Sequence, residues 1–451
     1  MSHRPTLLSI ALIAAPLVVL SCRSSAPSRN TAESVTGRES SPEDGPGGST
    51  AIHTVTHRQQ RSGERPASLV RWEGERPTLQ VLFATNRIPQ RPSPGSRWSY
   101  DRQFDQTLRF GLCHVTLSEQ RRGNPPEPDT PPPRLLGFIP LPQEPPPPPP
   151  PAPEVTLVQP LAGIEFHDRL KQMLAESATP ELLLFVHGFN MDLDTSSIRA
   201  AQVALDMPFE GAVICYSWPS RDSEKARSTD SQIVEQSGLP LARLLVALLD
   251  EVPETTRVHI VAHCMGNRAL LEALNKLPDR FEEPRRIDNI VHAAPDVSVN
   301  EFRELAPRGT RLANRVTLYV CESDPALAGS PASADAPRAG NARPPLVIPG
   351  IETIDTDCVS TGPLGEAHDV VELGLLGDLS ALIREGRPAS QRPWLDLAES
   401  NAGVWWICRR KPEEEVWSWP RAAKQTAEAP RTPEPAESPI RLLSAPGNSE
   451  E

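Results

Sequence analysis

The chain has 451 residues, 52 of them proline, about twice the roughly 5% share of an average protein. Proline at that density cannot all sit inside helices and strands. With 38% hydrophobic residues and 5% aromatics, the composition predicts one packed domain with disordered flanks. The formal charge of −12, with no strongly basic stretch to offset it, argues against a nucleic-acid partner.

The N-terminus reads as an export signal. Arg4 is followed by an apolar run from Leu7 to Leu20, too short to span a bilayer comfortably as a permanent helix. The run ends in Val19-Leu20-Ser21-Cys22, which resembles the bacterial lipobox. Residues 1–22 are therefore expected to be a lipoprotein signal peptide with Cys22 as the lipidated residue; an ordinary cleaved signal and a short anchor helix are the alternatives. The Ser-, Gly-, Pro-, Glu- and Arg-rich stretch 23–76 reads as a disordered tether. These features place the protein in a bacterial cell envelope, lipid-anchored to a membrane and facing periplasm or exterior. In 125–153, 16 of 29 residues are proline, seven in a row from Pro145, which predicts an extended polyproline insertion in a surface loop. The Pro/Glu-rich tail 391–451 reads as mostly disordered, with Trp405, Trp406, Trp417 and Trp419 able to pin its beginning to the core.

Residues 77–390 alternate short apolar runs with helical periodicity. Strands are expected at Leu182–Val186, Ala212–Tyr216, Val258–Ala262, Ile287–His292, Val316–Val320 and Ile351–Asp355. Helices lie between them, marked by Ile198, Ala201 and Leu205; by Leu241, Leu244, Leu245 and Leu248; by Leu270, Leu274 and Leu277; and by Leu375, Leu379 and Leu382. This pattern predicts an α/β domain, doubly wound, with a mostly parallel sheet covered by helices on both faces.

Chemistry in such sheets collects at the carboxyl ends of the strands. There the sequence Ala262-His263-Cys264-Met265-Gly266-Asn267-Arg268 has the layout of a nucleophile elbow, with Cys264 at the serine position and Ala262 at that of the first glycine. A thiol at a helix N-terminus is expected to ionise and attack without the strong base assistance that a serine hydroxyl needs. Of the ten histidines, only His292 and His368 lie beyond Cys264. His292 falls inside a strand and reads as a packed sheet residue; His368 follows the last strand and fits the base. Asp324, in the turn after Val316–Val320, is preferred as the acid over Asp296, one strand earlier. The turn His187-Gly188-Phe189-Asn190 follows the first strong strand, so the backbone N–H groups of Phe189 and Met265 are the expected oxyanion donors.

The segments LLLFVHGFN, VICYSWPSR, VHIVAHCMGNRALLEAL, HAAPDVSVNEF, RVTLYVCESDPAL and IPGIETIDT, with VLFATNR and LRFGLCHVTLS upstream, resemble a bacterial family of α/β-hydrolase-fold proteins of largely unknown function, esterase/lipase-like. The resemblance implies the α/β-hydrolase fold and, position by position, Cys264 as nucleophile, Asp324 as acid and His368 as base. Two departures stand out: the family carries serine at Cys264 and a glycine directly before the histidine, where this chain has Ala367.

Cys113, Cys215 and Cys321 fall within or at the end of apolar strands, Cys358 and Cys408 show no pairing signal, and metal-ligand spacings are absent. No disulfide framework, metal or cofactor is expected. Two functions follow. One is a membrane-tethered acyl hydrolase, with a small-molecule ester or thioester substrate and the membrane, through its lipid anchor, as its partners. The other is a catalytically inactive lipoprotein that keeps the scaffold as a binding or structural module.

Overall fold

The computed structural model of the chain describes residues 70–73, 76–117, 134–135, 139–140, 151–207, 209–221, 227–324, 327, 337–357 and 373–408, all in one compact unit. The expected signal peptide and Cys22, most of the tether and of the proline-rich insertion, His368, and the tail beyond 408 lie outside the described residues.

Fourteen strands are described: β1 Val70–Glu73, β2 Arg76–Gln90, β3 Ser99–Thr116, β4 Arg134–Leu135, β5 Ile139–Pro140, β6 Glu154–Leu161, β7 Glu181–Val186, β8 Ala212–Ser217, β9 Arg257–His263, β10 Ile287–Ala293, β11 Ala313–Val320, β12 Ile351–Asp355, β13 Leu395–Ser400 and β14 Gly403–Cys408. The strands β4 and β5 pair only with each other; the rest form one sheet in the order β13-β14-β12-β11-β10-β9-β7-β8-β2-β3-β6, with β1 on β2. Pairing is parallel from β14 across to β2, and antiparallel at both ends. The sheet thus exceeds the expected bounds. β1 lies in the stretch read as tether, and β13 and β14 in the stretch read as tail, because short strands toward the ends of the sheet carry too weak an apolar pattern to be read from sequence.

The parallel strands are continuous apolar runs because helices cover both faces. In β7 every residue is buried, and alternate side chains feed opposite cores: Leu182, Leu184 and Val186 join one, Leu183 and Phe185 the other. On the first face lie α1 Gly163–Glu176, α3 Arg227–Gln236, α4 Gly238–Glu251, α5 Gly266–Leu274, α6 Val299–Leu305 and α7 Pro307–Leu312. On the second lie α2 Leu193–Asp206 and α8 Leu373–Ile383. The helix starts are capped where the site needs them: Asp192 accepts from the Thr195 N–H at α2 (2.8 Å) and Ser298 from the Glu301 N–H at α6 (3.2 Å).

One expectation is corrected. Cys408, at the end of β14, is disulfide-bonded. Cys113, Cys215, Cys264 and Cys321 are free, so its partner lies outside the described residues. Pairing depends on which segments meet in space, which spacing along the chain does not reveal.

Candidate active site

β9 delivers the chain into α5 through a turn that leaves Cys264 with φ 49°, a left-handed conformation strained for any residue but glycine. The turn is clamped on every side. The Cys264 N–H donates to the Ala293 carbonyl (3.0 Å), and the Cys264 carbonyl accepts from the N–H groups of Asn267 and Asp296 (both 3.2 Å). The Asn267 amide also donates to the carbonyls of Ala262, Cys264 and Ala293 at 3.1–3.3 Å. Its oxygen lies 2.8 Å from Nδ1 of His292, which packs edge-on against Phe302. His292 is thus the packed strand residue expected, but it has a further role: it orients the side chain that fixes the turn.

Small residues are required here by close approach. A Cβ on Gly266 would lie 2.3 Å from the His187 carbonyl oxygen, and one on Gly188 would lie 3.0 Å from Cys264 Cβ. The loop His187–Asn190 therefore rests directly against the elbow. Its own shape is set by Asn190, at φ 57°. The Asn190 N–H donates to Ser220 Oγ (2.7 Å), which in turn donates to Asp230 Oδ2 (2.9 Å), and Trp218 Nε1 donates to the His187 carbonyl (2.7 Å) while its ring stacks on His187.

Arg87, unremarked in the sequence, is fully buried beneath this loop. The β2–β3 register shifts on both sides of it, an irregularity that turns its side chain inward. Its guanidinium donates to the carbonyls of Met191 (2.7 Å) and Trp218 (2.5 Å) and to Ser217 Oγ (3.0 Å). Burial pulls its pKa down to about 9. The signal that could have found it is the Asn-Arg pair breaking the alternation at the end of an otherwise apolar strand.

Around the sulfur, the expected residues divide. Cys264 is only 7% exposed, and Asp296 and Asp324 are both close enough for their charges to act on its sulfur. The Asp324 carboxylate accepts from the Leu327 N–H (3.3 Å), and its turn is held by Asp357 Oδ1, which accepts from the Ser323 N–H (3.1 Å). Asp296 is differently engaged: Oδ2 pairs with Arg227 (3.0 Å) and Oδ1 with Arg338 (3.1 Å). His368 lies outside the described residues. A cleft of about 330 Å³ lined by Val299, Arg303, Arg343 and Leu346, among others, contains none of the expected site residues.

Burial pushes the Cys264 thiol up to about 12; the negative charges of Asp296 and Asp324 add to this, against Arg227 and the Met265 N–H, which favour the thiolate. This corrects the expectation of a readily ionised cysteine. The short helix start behind Cys264 does not outweigh the loss of water around the sulfur. A base is therefore needed at neutral pH.

Residues 163–359 match the family model described as alpha/beta hydrolase of unknown function (DUF900). The protein has the α/β-hydrolase fold. Solved structures similar to it include the metagenomic carboxyl esterase MGS0156, at 16% identity over 47% of this chain and 77% of that chain with a TM-score of 0.25. Another is phospholipase PlaB from Legionella pneumophila, at 9% identity over 51% and 68% with a TM-score of 0.30. No curated protein sequence matches. Among the described residues, no group of three or more His, Cys, Asp or Glu side chains could hold a metal ion, and no helix is long and apolar enough to cross a membrane.

Proposed function

We propose that the protein is an acyl hydrolase tethered to a membrane through lipidated Cys22, acting on ester or thioester bonds with Cys264 as nucleophile, His368 as base and Asp324 as the acid that orients it. The observation that carries this reading is the left-handed backbone of Cys264. A binding scaffold has no need to hold a non-glycine residue in a conformation costing about 1–3 kcal/mol, whereas an elbow that presents its side chain to a substrate does. Asp324 is favoured over Asp296 because both oxygens of Asp296 are taken by arginines.

His368 takes the proton from the Cys264 thiol as the sulfur attacks the carbonyl carbon. The oxyanion of the tetrahedral intermediate accepts hydrogen bonds from the N–H groups of Phe189 and Met265. Collapse expels the alcohol or thiol, which receives the proton from His368, and leaves an acyl group on the sulfur. Water, deprotonated by His368, then attacks this thioester, releases the acid and restores the thiol.

A second reading is favoured by a different observation. The same sulfur is nearly buried, with its pKa pushed up to about 12, as suits an inert cysteine in a lipoprotein that uses the scaffold for binding. Labelling the full-length protein with a fluorophosphonate and with a chloroacetamide, followed by peptide mapping, separates the two. The hydrolase reading expects Cys264 to be the labelled residue; modification only elsewhere, or none, favours the binding module.

A further inference from the structure

The candidate oxyanion donors, Phe189 and Met265, sit on segments that leave different strands, β7 and β9. For both amides to point at one oxygen, the separation of these segments must be fixed. Arg227, the first residue of α3, reaches both. Its guanidinium carbon lies 5.3 Å from the centroid of the Phe189 ring, and its Nη2 lies 3.0 Å from Asp296 Oδ2. Asp296 is itself fastened to the elbow: its N–H donates to the Cys264 carbonyl (3.2 Å), and its carbonyl accepts from Nε of Arg268 within α5 (2.8 Å). Arg227 and Asp296 are both buried. A buried ion pair adds little stability over well-packed apolar side chains, so energy alone does not account for this one.

We propose that Arg227 is a positioning residue that ties the loop 187–190 to the nucleophile turn and so sets the gap between the Phe189 and Met265 N–H groups. It acts through the Phe189 ring and Asp296 and does not touch the reacting atoms. The guanidinium plane suits both tasks at once, covering an aromatic face while its edge pairs with a carboxylate; a lysine keeps the charge but not the plane. The catalytic consequence rests on the acyl-hydrolase reading, while the tie itself does not.

The test compares full-length wild type with Arg227→Met and Arg227→Lys by hydrogen exchange and by kinetics on a short activated acyl thioester. In Arg227→Met, amides of 187–191 are expected to exchange about tenfold faster or more, while those of 181–186 and 257–263 are unchanged. In the kinetics, kcat is expected to fall about 10- to 100-fold with KM within about twofold, the pattern of a transition-state interaction misplaced, not of binding lost; Arg227→Lys should fall in between. Unchanged exchange at 187–191 overturns the proposal, as does an unchanged kcat beside an active wild type. If Arg227→Met loosens the whole sheet, the same peptides in Arg227→Lys decide. A wild type without turnover removes the hydrolase reading, and the exchange result then decides the tie alone.

Discussion

At Cys264 the backbone is strained toward presentation, while the surroundings of its sulfur hold the thiol neutral. A pKa near 12 means that the thiolate fraction rises about tenfold per pH unit throughout the neutral and mildly alkaline range. The rate of Cys264 alkylation by iodoacetamide should therefore climb without levelling from pH 7 to pH 10. A plateau reached below pH 7 would reveal a thiolate already formed by ion pairing and contradict this account. Cys264→Ser should be no better than wild type if the site is adapted to a thiol, because a hydroxyl needs fuller deprotonation. Much of this was legible from residue order alone, since a Cys between Ala-His and Met-Gly at a strand-to-helix junction defines the turn. The raised pKa was not, because it arises from burial and from carboxylates 32 and 60 positions downstream, Asp296 and Asp324.

The strand-to-helix junctions and the loops beside them carry the geometry of the site. Gly266 lets α5 pass over the end of β7; an added Cβ would meet main-chain oxygens at 2.3 and 2.8 Å, which no rotamer change can relieve. Gly266→Ala should cost about 3 kcal/mol or more in urea unfolding and disturb the elbow, whereas a loss under 1 kcal/mol would mean that the junction is looser than described. The parallel strands and their helices were readable because both faces are buried and their apolar runs are unbroken. β1, β6, β13 and β14 were not, since they lie toward the ends of the sheet and owe their place to pairing rather than to pattern. Arg87, Asn267 and Arg227 stayed hidden for a related reason. Each works by long-range bonds between loops, and a buried arginine looks in sequence like a solvated one.

Among the described residues, three of the histidines buried in or just beyond the sheet strands, His187, His259 and His292, each have a pKa lowered by burial to about 3 from 6.5. Their folded pKa values lie below the unfolded value, so the stability they contribute is present above pH 6.5 and lost as pH falls toward 3. With up to three more protons bound by the unfolded chain, the slope approaches about 4 kcal/mol per pH unit. Urea titrations at pH 7, 6 and 5 should show a falling midpoint; a flat profile would mean that these rings are not held neutral. At the same scale, mass spectrometry of the mature N-terminus tests the proposed tether: a lipid-modified Cys22 is expected, and an unmodified Cys22 or cleavage elsewhere would overturn it. Composition made the packed centre legible, but not the disulfide at Cys408, whose pairing only the folded chain can specify.

The claim that Cys264 is a working nucleophile is tested most directly by intact-mass measurement of the full-length protein during turnover of short activated thioesters and esters. The account expects wild type to gain one acyl group, mapped to Cys264, that decays with release of the acid. Cys264→Ala should show neither acylation nor hydrolysis while keeping its stability within about 1 kcal/mol. Hydrolysis that persists in Cys264→Ala, or no acylation of wild type across a range of chain lengths at neutral to mildly alkaline pH, would contradict it.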